Sequence, residues 1–253
     1  MTGGDDLAQW VSHCIVADRV LTRLPWLDRH AFCVGNLAPD CNLPNEDWSS
    51  FTPSREITHR MRGSRKSAED CAAFCQEYIL DRAGELRSRE ELSFLCGYYA
   101  HLITDAEMQR STRDESRVAS AWARARAVPA LREKAEGLAE TWDDFKKLIS
   151  VQERLKDVHC VEREYLDAHP DSCYFTELRD LERFPDYIDL LPPGAIPKKV
   201  RMMLYLPARE TSSFLFVAFS REEYAAFLDR AAALSSRAIE EARRAVEEEL
   251  RRK

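Results

Sequence analysis

His101 and Asp105 stand four residues apart in the run Gly-Tyr-Tyr-Ala-His-Leu-Ile-Thr-Asp at 97–105. Residues at i and i+4 of a helix share a face, so an imidazole nitrogen and a carboxylate oxygen can reach the same cation. The pair is a common one, and its meaning comes from upstream. His13 follows Trp10 by three residues, Asp40 closes the block Phe-Cys-Val-Gly-Asn-Leu-Ala-Pro-Asp at 32–40, and His59 follows a Phe-Thr-Pro-Ser loop. Imidazole nitrogen and carboxylate oxygen suit zinc and similar divalent ions. Five such ligands with one shareable carboxylate suit two ions about 3.5–4 Å apart, an arrangement that can hold a bridging hydroxide and clamp a phosphate.

Each residue also has a plainer reading. His13 or His59 alone is an ordinary core or surface histidine. His101 with Asp105 is a helical hydrogen-bonded pair, and Asp40 after proline is a helix N-cap. Glu56 and His59 spell Glu-x-x-His, the half-motif of a di-iron bundle, but no second copy exists. The adjacent His-Asp pair of the other large helical class of metal phosphohydrolases is absent. Glu46, Asp47 and Trp48 either line the site or form a solvated loop. Tyr98 and Tyr99 are expected in the core, and His30, His159 and His169 are expected to be structural.

The elements that must position these residues are helical. Leu7, Trp10, Cys14, Ala17, Leu21 and Leu24 step by three and four, predicting an amphipathic helix over about 6–24 that ends before Pro25 and carries His13 on its flank. A short apolar segment over 31–37 stops at Pro39, just ahead of Asp40. Residues 41–63 have Pro, Asn and Ser at turn spacing and predict a long ordered loop, the kind that covers or carries a site. Helices are predicted over about 67–83, with Ala72, Cys75, Tyr78 and Ile79 on one side, and over about 90–107, the second bearing His101 and Asp105. Residues 116–166, interrupted by Pro129, read as one short and one long helix. The Pro-rich stretch 184–197 reads as an irregular boundary or lid. The apolar run 214–219 predicts a strand or an extended segment. Ser220 with Glu223 forms a capping box for a last helix with Tyr224, Phe227, Ala231, Leu234, Ala238, Ala242 and Val246 on one face and a fraying charged tail.

Composition narrows the class. The 253 residues suffice for one domain with a full core, with a metal-site half over 1–110 and a helical completion over 111–253 that includes an irregular 184–219 segment. With 32% charged residues, 45% hydrophobic residues and only 8 Gly, the balance predicts a mostly α protein with little or no β. The net charge of −7 is spread through mixed-sign segments, which disfavours non-specific nucleic-acid binding. No stretch approaches the roughly 20 apolar residues of a transmembrane span. The first residues lack the regions of a signal peptide, so a cytoplasmic location is expected. The 8 cysteines include no Cys-x-x-Cys pair and are expected to be free thiols in the core.

Taken in order, Trp-x-x-His at 10–13, Gly-Asn-x-Ala-Pro-Asp at 35–40, His59 after its proline loop and Gly-Tyr-x-x-His-Leu-x-Thr-Asp at 97–105 resemble the zinc-dependent phospholipase C and single-strand nuclease superfamily. The shorter intracellular branch of that superfamily is the nearest in pattern. The resemblance spans residues 7 to about 110; beyond that it rests on helical character alone. It implies a multi-helix bundle of that type, with one zinc on Asp40, His59, His101 and Asp105. It implies a second zinc that shares Asp105 and takes His13. Secreted members also use the amino group of an N-terminal Trp. Trp10 is internal and its indole cannot replace an amine, which leaves Asp5 or Asp6 to complete that shell. A third zinc would need a His-x-x-x-Glu pair. Here His159 is followed by Glu162 and Glu164 at the wrong spacing, and His169 has no partner of that kind, so the third site is expected to be absent.

The function expected on these grounds is a phospholipase C-like phosphodiesterase. A metal-held hydroxide would attack a small phosphoester or phospholipid, with Asp40 and Asp105 as the catalytic carboxylates. The alternative is a helical binding protein that keeps the metal as a structural clip. The substrate, the native metal and the oligomeric state are not encoded in these motifs.

Overall fold

The computed structural model describes residues 8–61, 68–86 and 88–252. Asp5, Asp6 and Leu7 lie outside the described residues, as do 62–67, the end of the predicted loop and the start of the helix after it. The expected mostly α architecture holds. The β content among the described residues is one antiparallel pair of two-residue strands, β1 (Leu43–Pro44) and β2 (Phe51–Thr52), with Leu43 opposite Thr52.

The metal-site half starts with α1 (Trp10–Arg23) and α2 (Arg29–Gly35), and a 3₁₀ turn over Ala38–Asp40 follows. Asp28 caps α2 by accepting a hydrogen bond from the Ala31 amide. The long loop predicted over 41–63 is more structured than its turn residues suggest. It holds the β1–β2 pair and the one-turn helix α3 (Arg55–Thr58). Then come α4 (Ala68–Cys75), which runs into a π turn over Gln76–Leu80, and α5 (Arg89–Thr112). The wider π turn breaks the 3.6-residue spacing that had grouped Ala72 with Tyr78 and Ile79. Phe74 is buried in its place and Ala72 is exposed.

α5 is the central element. It is buried over almost its whole circumference from Ser93 to Asp105 and packs along α2 and α11. A helix buried all round carries no amphipathic signature, because every side meets protein. Its contact with α2 is unusually close. A methyl group on Gly35 would lie 2.0 Å from the Phe94 carbonyl oxygen of α5, and one on Gly97 would lie 2.1 Å from the Phe32 carbonyl oxygen of α2. Glycine at both crossing points lets the two backbones touch.

The second half departs from expectation in detail. Residues 116–166 form four helices instead of two: α6 (Glu115–Ala127), α7 (Pro129–Arg132), α8 (Trp142–Leu148) and α9 (Val151–Ala168). Pro129 starts α7, where its missing N–H has no helical partner to lose. Thr141 and Ser150 cap α8 and α9 and divide what reads in sequence as one long helix. The irregular 184–219 segment contains α10 (Ala195–Met203). The run 214–219 is neither strand nor extended; it is a series of turns. The buried Asp157 carboxylate accepts from the Phe216 and Phe219 amides, and Arg117 donates to the Ala218 carbonyl, so side chains satisfy the backbone that a sheet would have paired.

The Ser220–Glu223 capping box forms as predicted and opens α11 (Arg221–Arg252). Leu234 falls on the exposed side of α11, and the charged tail stays helical through Arg252. The eight cysteines are free, and all but Cys160 are buried. Among the described residues no helix is long and apolar enough to cross a membrane.

Candidate metal centre

The five residues singled out in the sequence converge around the middle of α5. His13 comes from α1, Asp40 ends the 3₁₀ turn, His59 follows the last residue of α3, and His101 and Asp105 lie one turn apart on α5. His59 Nε2 is 3.2 Å from Asp40 Oδ1, 3.4 Å from Asp105 Oδ2 and 3.2 Å from His101 Nε2. His101 Nε2 is 3.6 Å from the same Asp105 oxygen. The other Asp105 oxygen, Oδ1, is 3.5 Å from His13 Nε2. Asp40 is therefore not an N-cap, and His101 with Asp105 is more than an isolated helical pair.

Local structure fixes which ring nitrogen faces the cluster. His101 donates Nδ1–H to the Asn36 carbonyl at 2.9 Å, so its Nε2 lone pair points to the other donors. Asn36 lies just past α2, and its side-chain amide donates to the His13 carbonyl at 2.7 Å, which ties α1, α2 and α5 together. The Thr58 hydroxyl lies 2.9 Å from His59 Nδ1 and 3.4 Å from the Arg55 carbonyl. Accepting from the ring and donating to the carbonyl, it turns the His59 Nε2 lone pair toward the cluster as well. Tyr98, buried as expected, donates its hydroxyl to the Thr58 carbonyl and so holds the segment that carries His59. Asn36, Thr58 and the supporting role of Tyr98 escape a reading based on metal-ligand types, although Asn36 lies inside the quoted motif.

The donor set fits a cation. Three electron-rich atoms, His59 Nε2, His101 Nε2 and Asp105 Oδ2, face one another in a dry interior. Among the described residues neither ring nitrogen of His13 makes a hydrogen bond, nor does Asp105 Oδ2. Buried polar atoms are nearly always satisfied, so a cluster of such orphans marks a missing partner. The spacing agrees too. Zinc bonds of about 2.0–2.2 Å in a tetrahedral shell place neighbouring ligand atoms about 3.3–3.6 Å apart, and the separations here are 3.2–3.6 Å. His13, His101 and Asp105 form one close triad, and Asp40, His59 and His101 another.

Electrostatics agree with this chemistry. Burial drives the His101 imidazole well below its ordinary pKa and the neighbouring His13 adds to the effect, so the ring is neutral and ready to ligate. Burial also lowers His59, helped by the Arg55 cation. For Asp40 burial acts upward, but Arg55 and the His59 ring outweigh it and hold the carboxyl well below the usual range. Burial is outweighed in the same way at Asp105, by His101 and His13. Arg55 was not foreseen. One guanidinium nitrogen lies 3.2 Å from Asp40 Oδ1, 3.6 Å from Asp105 Oδ2 and 3.2 Å from His59 Nε2, placing a positive charge against the donors.

The remaining candidates go elsewhere. His30 meets Glu177, His159 meets Glu210, and His169 bonds the Tyr165 carbonyl. Glu162 accepts from the Ser12 amide and hydroxyl, and Glu164 pairs with Arg221, so neither makes a His-x-x-x-Glu site. Glu46, Asp47 and Glu56 are exposed. Trp10 is half-buried at the start of α1. No curated protein and no solved structure gave a match to the chain. Residues 12–107, which include all five donors, match the family model of zinc dependent phospholipase C, and over that segment the chain is similar to that family.

Proposed function

We propose that His13, Asp40, His59, His101 and Asp105 hold zinc and that the protein hydrolyses a phosphoester bond. The observation that carries this reading is the two-sided Asp105 carboxylate, with Oδ1 toward His13 and Oδ2 toward His59 and His101. A carboxylate so placed can serve two ions, one on Asp40, His59, His101 and Asp105 and the other on His13 and Asp105. His101 cannot do the same, because its second nitrogen is already bonded to Asn36. The chemistry that bound zinc supplies is polarisation of phosphoryl oxygens and acidification of water.

The chain's own residues take the other roles. Asp40 keeps 12% of its side chain exposed, whereas Asp105 and His101 have none and His59 has 1%. Asp40 is thus the carboxylate that water can reach and the one to orient it and receive its proton. Asp105 is the fixed carboxylate between the histidines. Arg55, partly exposed beside Asp40, can donate to an oxygen of the phosphoryl group. The substrate class is a small phosphoester or a phospholipid.

The near-complete burial of four of the five residues also favours a second reading, a structural metal clip in a binding protein. Purified chain with measured zinc content, assayed on phosphomonoesters and phosphodiesters, separates the two. Hydrolysis that disappears in His101→Ala and on chelation before the fold melts supports the enzyme. A sharp fall in Tm on chelation with no turnover of any ester supports the clip.

A further inference from the structure

Lys199 is a buried lysine without a counter-ion. It lies on α10, beyond the segment that matches the family, and only 3% of it is exposed. Its ammonium nitrogen sits 4.6 Å from the centroid of the Phe51 ring and 5.3 Å from that of Trp48, with the two rings edge to face across the β1–β2 turn. Among the described residues it forms no ion pair and no hydrogen bond, and its ammonium nitrogen is not one of the fully enclosed unbonded atoms, so the stem is buried while the tip reaches the surface. The groups its charge feels are Asp40 and the Cys41 thiol, which oppose the lowering that burial imposes on its pKa.

An ammonium has three donors, and a largely desolvated charge that uses none of them on the protein is unfavourable unless something compensates. Two aromatic faces compensate in part. They stabilise the charge but accept no ordinary hydrogen bond, so the donors stay available. Other buried or half-buried cations in this chain are used: Arg117 donates to the Ser111, Thr112 and Ala218 carbonyls, and Arg124 to Glu223. Lys199 combines a buried stem, an aromatic cradle and no acceptor among the described residues with a charge that acts on the most accessible carboxylate of the cluster.

We infer that Lys199 is a specificity-determining residue that binds a phosphoryl oxygen of the substrate on the Asp40 side of the site, with Trp48 and Phe51 holding its ammonium in place. This rests on the phosphoester reading above. Arg55 approaches Asp40 as well, so an anion there would meet a planar guanidinium and a point-charge ammonium. Trp48, weighed in the sequence as a site-lining residue or as part of a solvated loop, thereby acts through Lys199.

Inorganic phosphate is the probe, with full-length chain whose zinc content is measured. Calorimetry should give phosphate binding about tenfold weaker or worse in Lys199→Met, which keeps the apolar stem, with zinc content unchanged and partial rescue in Lys199→Arg. For any ester turned over, Lys199→Met should raise KM more than it lowers kcat. Amine footprinting of the unmutated chain avoids dependence on the variant's folding: phosphate should shield Lys199 and leave the exposed Lys198 reactive, with or without zinc. Equal phosphate affinity in Lys199→Met, or no shielding of Lys199, overturns the assignment and leaves the lysine as a clamp between α10 and the β1–β2 turn. A chain that takes up no zinc overturns the hydrolase reading, and the footprint still decides whether Lys199 meets an anion.

Discussion

The imidazoles of His13 and His101 lie stacked, 3.8 Å between ring centroids and 5° apart in plane, although they come from different helices. Two protonated rings could not rest this way, and burial keeps His101 neutral. Their ligand nitrogens nevertheless have different company. His101 Nε2 faces His59 and Asp105 Oδ2, while His13 Nε2 faces Asp105 Oδ1. If two ions bind, His13→Ala should lower the zinc content from near two per chain to near one. His101→Ala should remove the ion shared with Asp40 and His59. Metal analysis after dialysis reads both. Equal loss in the two variants would contradict separate sites.

Gly97 bears on the site through the backbone. An added methyl group would lie 2.1 Å from the Phe32 carbonyl oxygen and 2.8 Å from the Asn36 amide nitrogen, so Gly97→Ala must push α2 and α5 apart. The expected destabilisation is about 1–3 kcal/mol or more. It should be accompanied by weaker zinc binding, because Asn36 would move away from His101 Nδ1. Thermal melts and zinc titration measure the two effects. An unchanged zinc affinity would mean that the Asn36 contact does not orient the ring.

How much of this was legible in the sequence depended on where each signal resides. The five donors could be read because residue type and order carry their chemistry, and all five converge. The role of Gly97 could not, since a glycine within a helical run says nothing about which backbone it will touch. Helix boundaries failed where local chemistry outweighed periodicity: Pro129 starts a helix, Ser150 divides one from the next, and the π turn after Cys75 rotates Ala72 outward. The 214–219 run looked like a strand because it is apolar, but its backbone partners are Asp157 and Arg117, distant in sequence. Lys199 and Arg55 lay beyond reach for the same reason. The approach of Arg55 to Asp40 and the electrostatic link of Lys199 to the same carboxylate are products of tertiary structure and leave no local pattern.

Glu162 should make stability depend on pH in the opposite direction from the histidines. It is buried, accepts from Ser12, and burial raises its pKa to about 7. A carboxyl with a raised folded pKa contributes stability below its unfolded value of about 4.5 and loses it as pH rises through 7. His59 and His101, with lowered folded values, contribute stability above about 6.5 that is lost as pH falls. Glu162→Gln keeps an acceptor for Ser12 and removes the charge. Its Tm relative to the unmutated chain should therefore be raised by several degrees at pH 8 and little changed at pH 5, as followed by circular dichroism. A gain of equal size at both pH values would place the effect in packing instead.

Arg55 stands where its charge offsets two carboxylates, the partly buried Asp40 at 3.2 Å and the fully buried Asp105 at 3.6 Å. About a third of its side chain is exposed, so solvent screens part of that interaction. Zinc held as proposed would neutralise the same carboxylates more effectively, and the two cations would compete for them. Arg55→Gln should therefore lower the Tm of the chelated protein by several degrees and change that of the zinc-loaded protein much less. Zinc affinity should rise, by roughly tenfold if about 1.4 kcal/mol of competition is relieved. Melting curves with and without zinc, together with a zinc titration against a competing chelator, close the thermodynamic cycle. An equal fall in Tm in both states, with unchanged zinc affinity, would make Arg55 a packing residue of α3 instead of a cation in balance with the metal.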